Sequence, residues 1–350
     1  MKRIKKLNTP PVFFSFSAVG GAEERRGRLG DKFDFCDDTD KFGMQSWERA
    51  EGEMGRICVN LALRKGGLSH EELSFMIGGD LQNQCVATSI GLSSFGVPYL
   101  GIYGACSTCT EGLILTSALL SREDYTIGAA VTSSHNSAAE RQFRTPLEYG
   151  AQRAPSAQWT STAAGAFILT VDEERIRSKG DSAVMISEVM PGRIIDGATT
   201  DGANMGGAMA FAAYDSISSY FSESSLRPSD FDCIVTGDLG DVGSRILSHL
   251  LEKELPSAVP RLMDCGCLLY DRDNQDVHSG ASGCGTSAAV LASHLLPLLE
   301  KGEMERILLL STGALMSPTS VQQGESIRGI APAVTIERMM KKSNQKGDAL

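Results

Sequence analysis

The sequence lacks a long hydrophobic run. No segment approaches the ~18 uninterrupted apolar residues that a membrane-spanning helix requires. The apolar run 12–19, which follows a basic start, is short and broken by serines, and Glu23 and Glu24 come soon after it. A signal peptide would need a longer apolar core and a small-residue cleavage site. We therefore expect a cytoplasmic protein with no transmembrane segment.

An excess of positive charge and a cysteine framework are also missing. The formal net charge is −10, whereas a nucleic-acid surface requires a basic face, so no nucleic-acid partner is expected. The 9 cysteines are odd in number and follow no framework spacing, which favours a reducing compartment. Cys265 and Cys267 lie beside Asp264, but they have no further ligand nearby in the sequence, and no metal site is expected.

The stretch 97–120 carries the clearest local pattern. The apolar run 97–103 predicts a buried strand, and the run that starts at Cys106 predicts a buried helix whose first turn is capped by hydroxyl side chains. Unpaired N–H groups and the macrodipole at such a helix start stabilise negative charge. We therefore expect a lowered pKa and a reactive thiol at Cys106, with a carboxylate ligand favoured nearby. The alternative is that Cys106 and Cys109 are inert core residues.

A second stretch, 280–296, repeats this pattern. It aligns with 104–120 without a gap and is identical to it at seven of seventeen positions. Two further pairs of segments match in the same order: 77–81 with 235–239, and 126–132 with 306–312. Matched elements in one order predict two copies of one α/β unit. Cys106 is aligned with Ser282, so the two copies are not chemically equivalent.

Strands alternate with helices along the chain, which predicts largely parallel sheets joined by right-handed crossovers. We expect an α/β layered sandwich in which the two central helices pack together between the sheets. We expect an N-terminal half over residues 1–175, a C-terminal half over 176–338 and a flexible tail over 339–350.

Two connecting regions carry more specific expectations. The polar stretch 137–162 is predicted to be a long loop that covers the site, because its arginines and Trp159 suit a binding loop. The glycine-rich stretch 197–209 is predicted to be a flexible link. The last strand, 329–337, is predicted at a sheet edge because Pro332 lacks a ladder donor.

The residues at the two turns resemble those of the thiolase and ketoacyl-synthase superfamily. The turns read Gly-Ala-Cys-Ser-Thr at 104–108 and Gly-Ala-Ser-Gly at 280–283, shortly after His278. Longer stretches resemble the thiolase-fold family of the spore dipicolinate-transport operon: 46–51, 132–136, 139–149, 158–160 and 310–318. The resemblance covers residues 10–338.

That resemblance implies a fold and a role. It implies a thiolase-like fold with two pseudo-twofold-related α/β halves in an αβαβα sandwich. It also implies binding of dipicolinate (pyridine-2,6-dicarboxylate) or its calcium chelate, and a part in loading it into the developing spore. The implied partners are membrane subunits of the transport complex at the forespore inner membrane. Superfamily members are usually homodimers, so a homodimer is expected, with residues near 81–89 at the interface.

The resemblance leaves catalysis open. In the superfamily a cysteine at the first turn accepts an acyl group with help from two later polar residues. Cys106 matches the cysteine, and His278 is the best counterpart of the assisting histidine, although it precedes its glycine by two residues rather than three. Ser311 and Thr312 stand where a second catalytic cysteine motif would lie. The incomplete triad favours a pocket whose chemistry has lapsed, and the alternative is an acyltransferase that uses Cys106 with His278.

For a small aromatic dianion the sequence offers a helix start, basic side chains and an aromatic surface. The candidate ligand-binding residues are Cys106, His135, Arg144, Trp159, His278, Ser311 and Thr312. Each basic or aromatic candidate also has an ordinary interpretation: a structural histidine, a surface arginine or a core tryptophan. No cofactor is expected apart from calcium carried with the ligand.

Overall fold

The computed structural model describes residues 2–122, 124–143 and 153–339. Of the predicted tail 339–350, residues 340–350 lie outside this part of the chain. Among the described residues, no helix is both long enough and apolar enough to cross a membrane.

The N-terminal half alternates strands and helices. Its main strands are β1 (Val12–Gly20), β2 (Phe75–Gly79), β3 (Tyr99–Gly101), β4 (Ile127–Ser134) and β5 (Ala163–Thr170). Its main helices are α1 (Trp47–Gly66), α2 (Val86–Leu92), α3 (Thr108–Leu120) and α4 (Asn136–Phe143). The start and stop of α1 follow from its sequence: the Ser46 hydroxyl accepts from the Arg49 N–H, and Gly67 ends the helix in the left-handed conformation.

The C-terminal half repeats the alternation. Its main strands are β6 (Val184–Met190), β7 (Cys233–Thr236), β8 (Leu262–Asp264), β9 (Arg306–Leu310) and β10 (Ala333–Arg338). Its main helices are α5 (Met205–Glu223), α6 (Gly240–Glu254) and α7 (Cys284–Val290). Short strands and helices connect these elements: Lys5–Lys6, Ala22–Arg26, Phe35–Cys36, Trp159–Thr160, Glu173–Lys179, Ile195–Asp196, Cys265–Leu269, Ala281–Ser282, Leu296–Lys301, Gly313–Leu315, Pro318–Gln322 and Arg328–Ile330.

The two halves have the same sheet topology. The strands lie in the order β3-β2-β4-β5-β1 in one half and β8-β7-β9-β10-β6 in the other. Within each half the first three strands of that order run parallel, and the fourth runs antiparallel to both of its neighbours. The sheets join where Val12 of β1 pairs with Met185 of β6. The duplication predicted from the sequence repeat is therefore present, although the sheets are mixed rather than largely parallel.

The matched helices α3 and α7 lie in the centre of the molecule. They contact each other, α3 packs on strands of both sheets, and α7 packs on β5 and β4. The largest buried apolar cluster includes residues of both helices and both sheets. The outer layers are formed by α1 against the N-terminal sheet and by α5 and α6 against the C-terminal sheet. This order of layers brings the starts of α3 and α7 together.

Four local predictions were wrong. The strand 97–103 shortens to β3, an exposed edge strand rather than a buried one. The stretch 137–162 is not all loop, because α4 occupies its beginning. The link 197–209 is shorter, because α5 already begins at Met205. The last strand, β10, lies between β9 and β6 rather than at an edge, and it tolerates Pro332 because that proline precedes its first residue.

Candidate functional site

The turn before α3 holds Cys106 in a strained backbone. Ala105 has a φ of 51°, a left-handed conformation that residues other than glycine seldom adopt. Hydroxyl groups hold this turn: Thr108 Oγ1 accepts from the Gly104 N–H at 3.0 Å and donates to the Ala105 carbonyl at 2.7 Å. Ser107 Oγ donates to the Gly104 carbonyl at 2.7 Å. The predicted capping of the first turn by these hydroxyls is wrong, because they bond to the preceding turn.

Cys106 faces its counterpart in the sequence repeat. Its Sγ lies 3.8 Å from the Ser282 Oγ at the start of α7. Both side chains are buried. The repeat thus aligned the two residues that meet between the central helices.

A buried carboxyl group lies directly behind this pair. Asp238, in the turn between β7 and α6, accepts hydrogen bonds through Oδ2 from the Ser282 hydroxyl at 3.0 Å and from the Gly283 N–H at 2.9 Å. Its Oδ1 accepts from the Thr312 hydroxyl at 2.8 Å. These bonds fix Asp238 between the end of β9 and the start of α7. Of the predicted site residues, Cys106 and Thr312 therefore belong to one cluster.

The environment raises the pKa of both acidic groups. Burial raises the pKa of Asp238 to about 7, although hydrogen bonds to its carboxylate oppose that change. Burial, followed by the charge of Asp238, raises the pKa of the Cys106 thiol well above its ordinary value. The expectation of a lowered pKa is wrong, because a helix N-terminus contributes only about 0.3–1 kcal/mol and burial of a charge costs more.

Two adjoining chambers open from this cluster. The inner chamber has a volume of about 60 Å³, and the lining residues with polar groups are Tyr103, Cys106, Glu140, Thr160 and Ser282. The outer chamber has a volume of about 250 Å³ and includes Gln158. The chambers share Glu140, Phe143, Met205 and Met316. Among the described residues that line either chamber there is no Lys, Arg or His side chain.

Gln158, which lines the outer chamber, has an unpaired side-chain acceptor among the described residues. Its side-chain Nε2 donates to the carbonyl oxygens of Asp238 and Ala281, both at 2.7 Å. Because both partners are carbonyl oxygens, the orientation of the amide is fixed. Its Oε1 is buried and has no hydrogen-bond partner among the described residues, and the residue is 4% exposed. Such an atom calls for a donor or a cation.

Three predicted ligand-binding residues lie elsewhere. Ser311 lies deeper, where its Oγ accepts from Thr110 at 2.7 Å and donates to Ser287 at 2.9 Å, so it links the two central helices. His135 is buried, with Nε2 2.8 Å from the Asp40 carbonyl oxygen, and burial lowers its pKa. Trp159 has one ring face covered by the Arg153 guanidinium, 4.7 Å from its centre. None of the three lines a chamber.

The remaining two candidates have different outcomes. His278 lies at the surface, with Nδ1 2.9 Å from the Ala154 carbonyl oxygen and Nε2 3.0 Å from the Asp276 carboxylate, and it lines neither chamber. Arg144 lies outside the described residues. In the part of the chain that the structure describes, no group of three or more His, Cys, Asp or Glu side chains is arranged to hold a metal ion.

Sequence reasoning missed Asp238, Gln158 and Glu140 as site residues. A signal for Asp238 was present, because Gly-Asp-Leu occurs at both 79–81 and 237–239 in the repeated unit. That match served to recognise the duplication, and its carboxylates were not considered as site residues. Gln158 and Glu140 lie in two stretches that carry the family resemblance, 158–160 and 139–149, but the sequence does not place them at the site, since their roles depend on long-range packing.

The fold defines a class of protein. A tetronic acid condensing enzyme, AbyA1, matches with a TM-score of 0.61 and 16% identity over 93% of this chain and 99% of that chain. Acetamide-bound OleA of Xanthomonas campestris matches with a TM-score of 0.58 and 13% identity over 94% and 100%. The 3-oxoacyl-[acyl-carrier-protein] synthase III of Aquifex aeolicus VF5 matches with a TM-score of 0.54 and 12% identity over 93% and 99%. The chain has the thiolase-like fold of condensing enzymes.

The particular family follows from sequence. The family model for stage V sporulation protein AD (SpoVAD) matches residues 1–337. Stage V sporulation protein AD of Bacillus subtilis (strain 168) is 38% identical over 329 residues, which cover 94% of this chain and 95% of that protein. The chain belongs to the stage V sporulation protein AD family, as the motifs had indicated, and it is a sporulation-related protein.

Proposed function

We propose that this protein binds dipicolinate as its calcium chelate, without transforming it, and takes part in its uptake into the developing spore. The groups around Cys106 are the observation that argues against catalysis. Acyl transfer to a cysteine requires the thiolate. Here the thiol is buried and lies near the Asp238 carboxyl group, and both conditions favour the neutral form. Membership of a sporulation family supports the biological setting.

Chamber size supports a ligand seated beside the thiol rather than on it. The inner chamber of about 60 Å³ is far smaller than the about 300–1,000 Å³ of small-molecule sites, so it suits small groups only. The outer chamber of about 250 Å³ approaches the lower limit of small-molecule sites and would take the pyridine ring. Phe143, Met205 and Met316, shared by both chambers, would supply apolar contact for that ring.

Charge favours the chelate over the free dianion. A dianion without a cation in a buried chamber would be strongly destabilised. In the calcium chelate the two charges cancel, and Ca²⁺ takes 6–8 oxygen ligands, more than one dipicolinate supplies. Gln158 and Glu140 are the described residues of the outer chamber wall that carry side-chain oxygens, and we expect these oxygens to complete the shell. Calcium would thus arrive with the ligand rather than reside in the protein.

Isothermal titration calorimetry tests this proposal. Dipicolinate is titrated with and without equimolar calcium into the wild type, Gln158→Leu and the control Gln323→Leu, which alters an exposed glutamine. We expect tighter binding with calcium, at least tenfold weaker binding for Gln158→Leu, and wild-type affinity for Gln323→Leu. Absence of heat and of a thermal shift at millimolar ligand, with or without calcium, would overturn the proposal.

The alternative function is acyl transfer by Cys106 with His278 as its base. The imidazole nitrogens of His278 are engaged by Ala154 and Asp276, so the geometry does not favour it. Mass spectrometry after incubation with a panel of acyl thioesters decides between the two. We expect no adduct on Cys106, and a stoichiometric acyl adduct there would establish the alternative.

We also propose a homodimer built through the exposed edge of the N-terminal sheet. β3 is the last strand of its order, and its Leu100 is 51% exposed. Ile90 on α2 and Tyr103 after β3 are exposed apolar neighbours in sequence. Sedimentation should show a dimer for the wild type and for the control Ile194→Lys, and a monomer for Leu100→Lys. A wild-type monomer at micromolar concentration would exclude this dimer.

Membrane subunits of the spore transport complex are the proposed partners. Support comes from the family to which the chain belongs. Co-fractionation with forespore membranes should depend on those subunits. Equal membrane recovery in their absence would contradict the proposal.

A further inference from the structure

A further cavity lies at the edge of the C-terminal sheet. It has a volume of about 440 Å³, and no described residue lines both this cavity and either chamber. Small-molecule sites usually have about 300–1,000 Å³. Leu262, Met263 and Asp264 of β8, the last strand of its order, all line the cavity. We call this cavity the edge cleft.

The position of the edge cleft follows from the sheet topology. β7 and β8 run parallel and end side by side, with Thr236 opposite Asp264, and both of these residues line the cleft. The chain leaves β7 into α6 in the outer layer, and it leaves β8 toward α7 in the central layer. Where the connections after neighbouring parallel strands diverge in this way, open α/β sheets usually bind their ligands.

The lining of the edge cleft combines apolar side chains with a few polar ones. The apolar side chains belong to Leu247, Val259, Leu262, Met263 and Leu268. Ser244 of α6 also lines the cleft, and its Oγ is buried and has no hydrogen-bond partner among the described residues. An apolar surface with a small number of polar groups is typical of sites for small organic molecules.

Two arginines line the edge cleft and have donors to spare. Arg28 Nη2 lies 3.5 Å from Asp271 Oδ1 and 3.6 Å from Asp273 Oδ2. Arg272 Nη1 lies 3.0 Å from Asp241 Oδ1. None of these three aspartates lines the cleft. A guanidinium has five N–H donors, so each arginine keeps donors for a further acceptor.

Asp264 is the carboxyl group among the described lining residues, and its oxygens are already engaged. Oδ2 accepts from the Thr236 hydroxyl at 2.7 Å and from the Leu239 N–H at 2.8 Å. Oδ1 accepts from the Gly240 N–H at 3.0 Å and from the Cys267 N–H at 3.1 Å. The oxygens of Asp264 are therefore committed to the protein, and the arginines supply the charged groups that are open to a ligand.

We propose that the edge cleft binds a small organic anion whose apolar body carries a carboxylate or a phosphate group. The apolar side chains contact the body, and Arg28 and Arg272 bind the anionic group through charge-assisted hydrogen bonds. The planar guanidinium group matches the geometry of both kinds of anion. This site is separate from the chambers beside Cys106, and it does not rest on the proposed function.

Methyl NMR of the full chain, labelled with ¹³C at the methionine methyl groups, locates the binding. Met263 lines the edge cleft, whereas Met205 and Met316 line both chambers. The probes are 2-naphthoate, 2-naphthyl phosphate and the neutral 2-naphthamide. We expect a saturable shift of the Met263 signal with at least one of the anions, and at least tenfold weaker binding of the amide. Absence of a Met263 shift at millimolar anion, or shifts confined to Met205 and Met316, would overturn the proposal.

Arginine variants test the role of charge. Arg28→Gln and Arg272→Gln should each weaken anion binding at least fivefold and leave amide binding unchanged. The control is Arg245→Gln, which alters another arginine paired with Asp241 and should bind the anion like the wild type. The Arg28 and Arg272 side chains are 55% and 33% exposed, so we expect both variants to fold, and unchanged Met205 and Met316 signals check this. Anion binding that neither variant weakens, or that is no tighter than amide binding, would indicate an apolar surface alone and would refute the proposal.

Discussion

At Cys106 two effects of opposite sign act on one thiol. The start of α3 favours the thiolate, and burial beside Asp238 favours the thiol. The second effect is larger, because the helix start contributes about 0.3–1 kcal/mol, whereas a pKa change of one unit already corresponds to about 1.36 kcal/mol. A cysteine in the position of a nucleophile is thereby kept in its unreactive form.

This balance predicts slow alkylation of Cys106. With iodoacetamide at pH 7 and peptide-resolved mass spectrometry, we expect almost no labelling at Cys106 under native conditions. Asp238→Asn removes the neighbouring negative charge and should lower the pH of half-maximal labelling by about one unit. Asp241→Asn, which alters a nearby acidic residue outside the cluster, serves as the control. Labelling of wild-type Cys106 at the rate of a free thiol would contradict this account.

At the scale of elements, the site depends on how closely α7 approaches β5. A Cβ atom at Gly165 of β5 would lie 2.7 Å from the backbone carbonyl of Ala288 on α7, a distance that real Cβ contacts essentially never show. A Cβ at Gly285 would lie 2.1 Å from the Ala163 carbonyl oxygen. Two glycines thus allow strand and helix backbones to touch, and this contact places the start of α7 opposite Cys106.

Gly165→Ala is therefore expected to destabilise the protein by about 1–3 kcal/mol, since α7 or β5 must shift. The matched control is Gly55→Ala in α1, where a Cβ meets nothing within 4 Å. That change should stabilise by about 0.5–1 kcal/mol through helix propensity. Urea unfolding of each variant and of the wild type measures the two changes in the free energy of unfolding. Unchanged stability of Gly165→Ala would show that the contact is looser than the structure indicates.

At the scale of the whole molecule, buried carboxyl groups connect the halves. Glu24, near the N-terminus, accepts from the Thr162 N–H at 2.9 Å and from the hydroxyl of Tyr270 in the C-terminal half. Burial raises the pKa of Glu24 to about 7 and that of Asp238 to about 7. In the unfolded chain both groups would titrate near pH ~4.

Stability should consequently fall as pH rises from ~4.5 to ~7. In that range the folded state retains protons that the unfolded state has released, so the free energy of unfolding decreases with pH, by up to about 1.4 kcal/mol per unit for each group. Urea unfolding at several pH values measures the slope. Glu24→Gln should reduce the slope of the free energy of unfolding against pH by the contribution of one group. The control is Glu23→Gln, which alters a neighbour paired with Arg26 and should leave the slope unchanged. A stability that rises with pH across this range would disprove the assignment.

The sequence was sufficient for the features that depend on local pattern. The start and the end of α1 follow from the Ser46 cap and from Gly67. The duplication and the pairing of Cys106 with Ser282 follow from a gap-free repeat, because equivalent positions of two similar halves meet near their pseudo-symmetry axis. The motifs also led to the family.

The tertiary structure alone decided what each side chain faces. Asp238 became the neighbour of Cys106, Gln158 entered the chamber wall, and His278 turned to Asp276 at the surface. These outcomes depend on contacts between residues far apart in the chain and on how much water packing excludes from each group. Burial determines whether the thiol and the carboxyl are charged, and no pattern along the sequence contains that information.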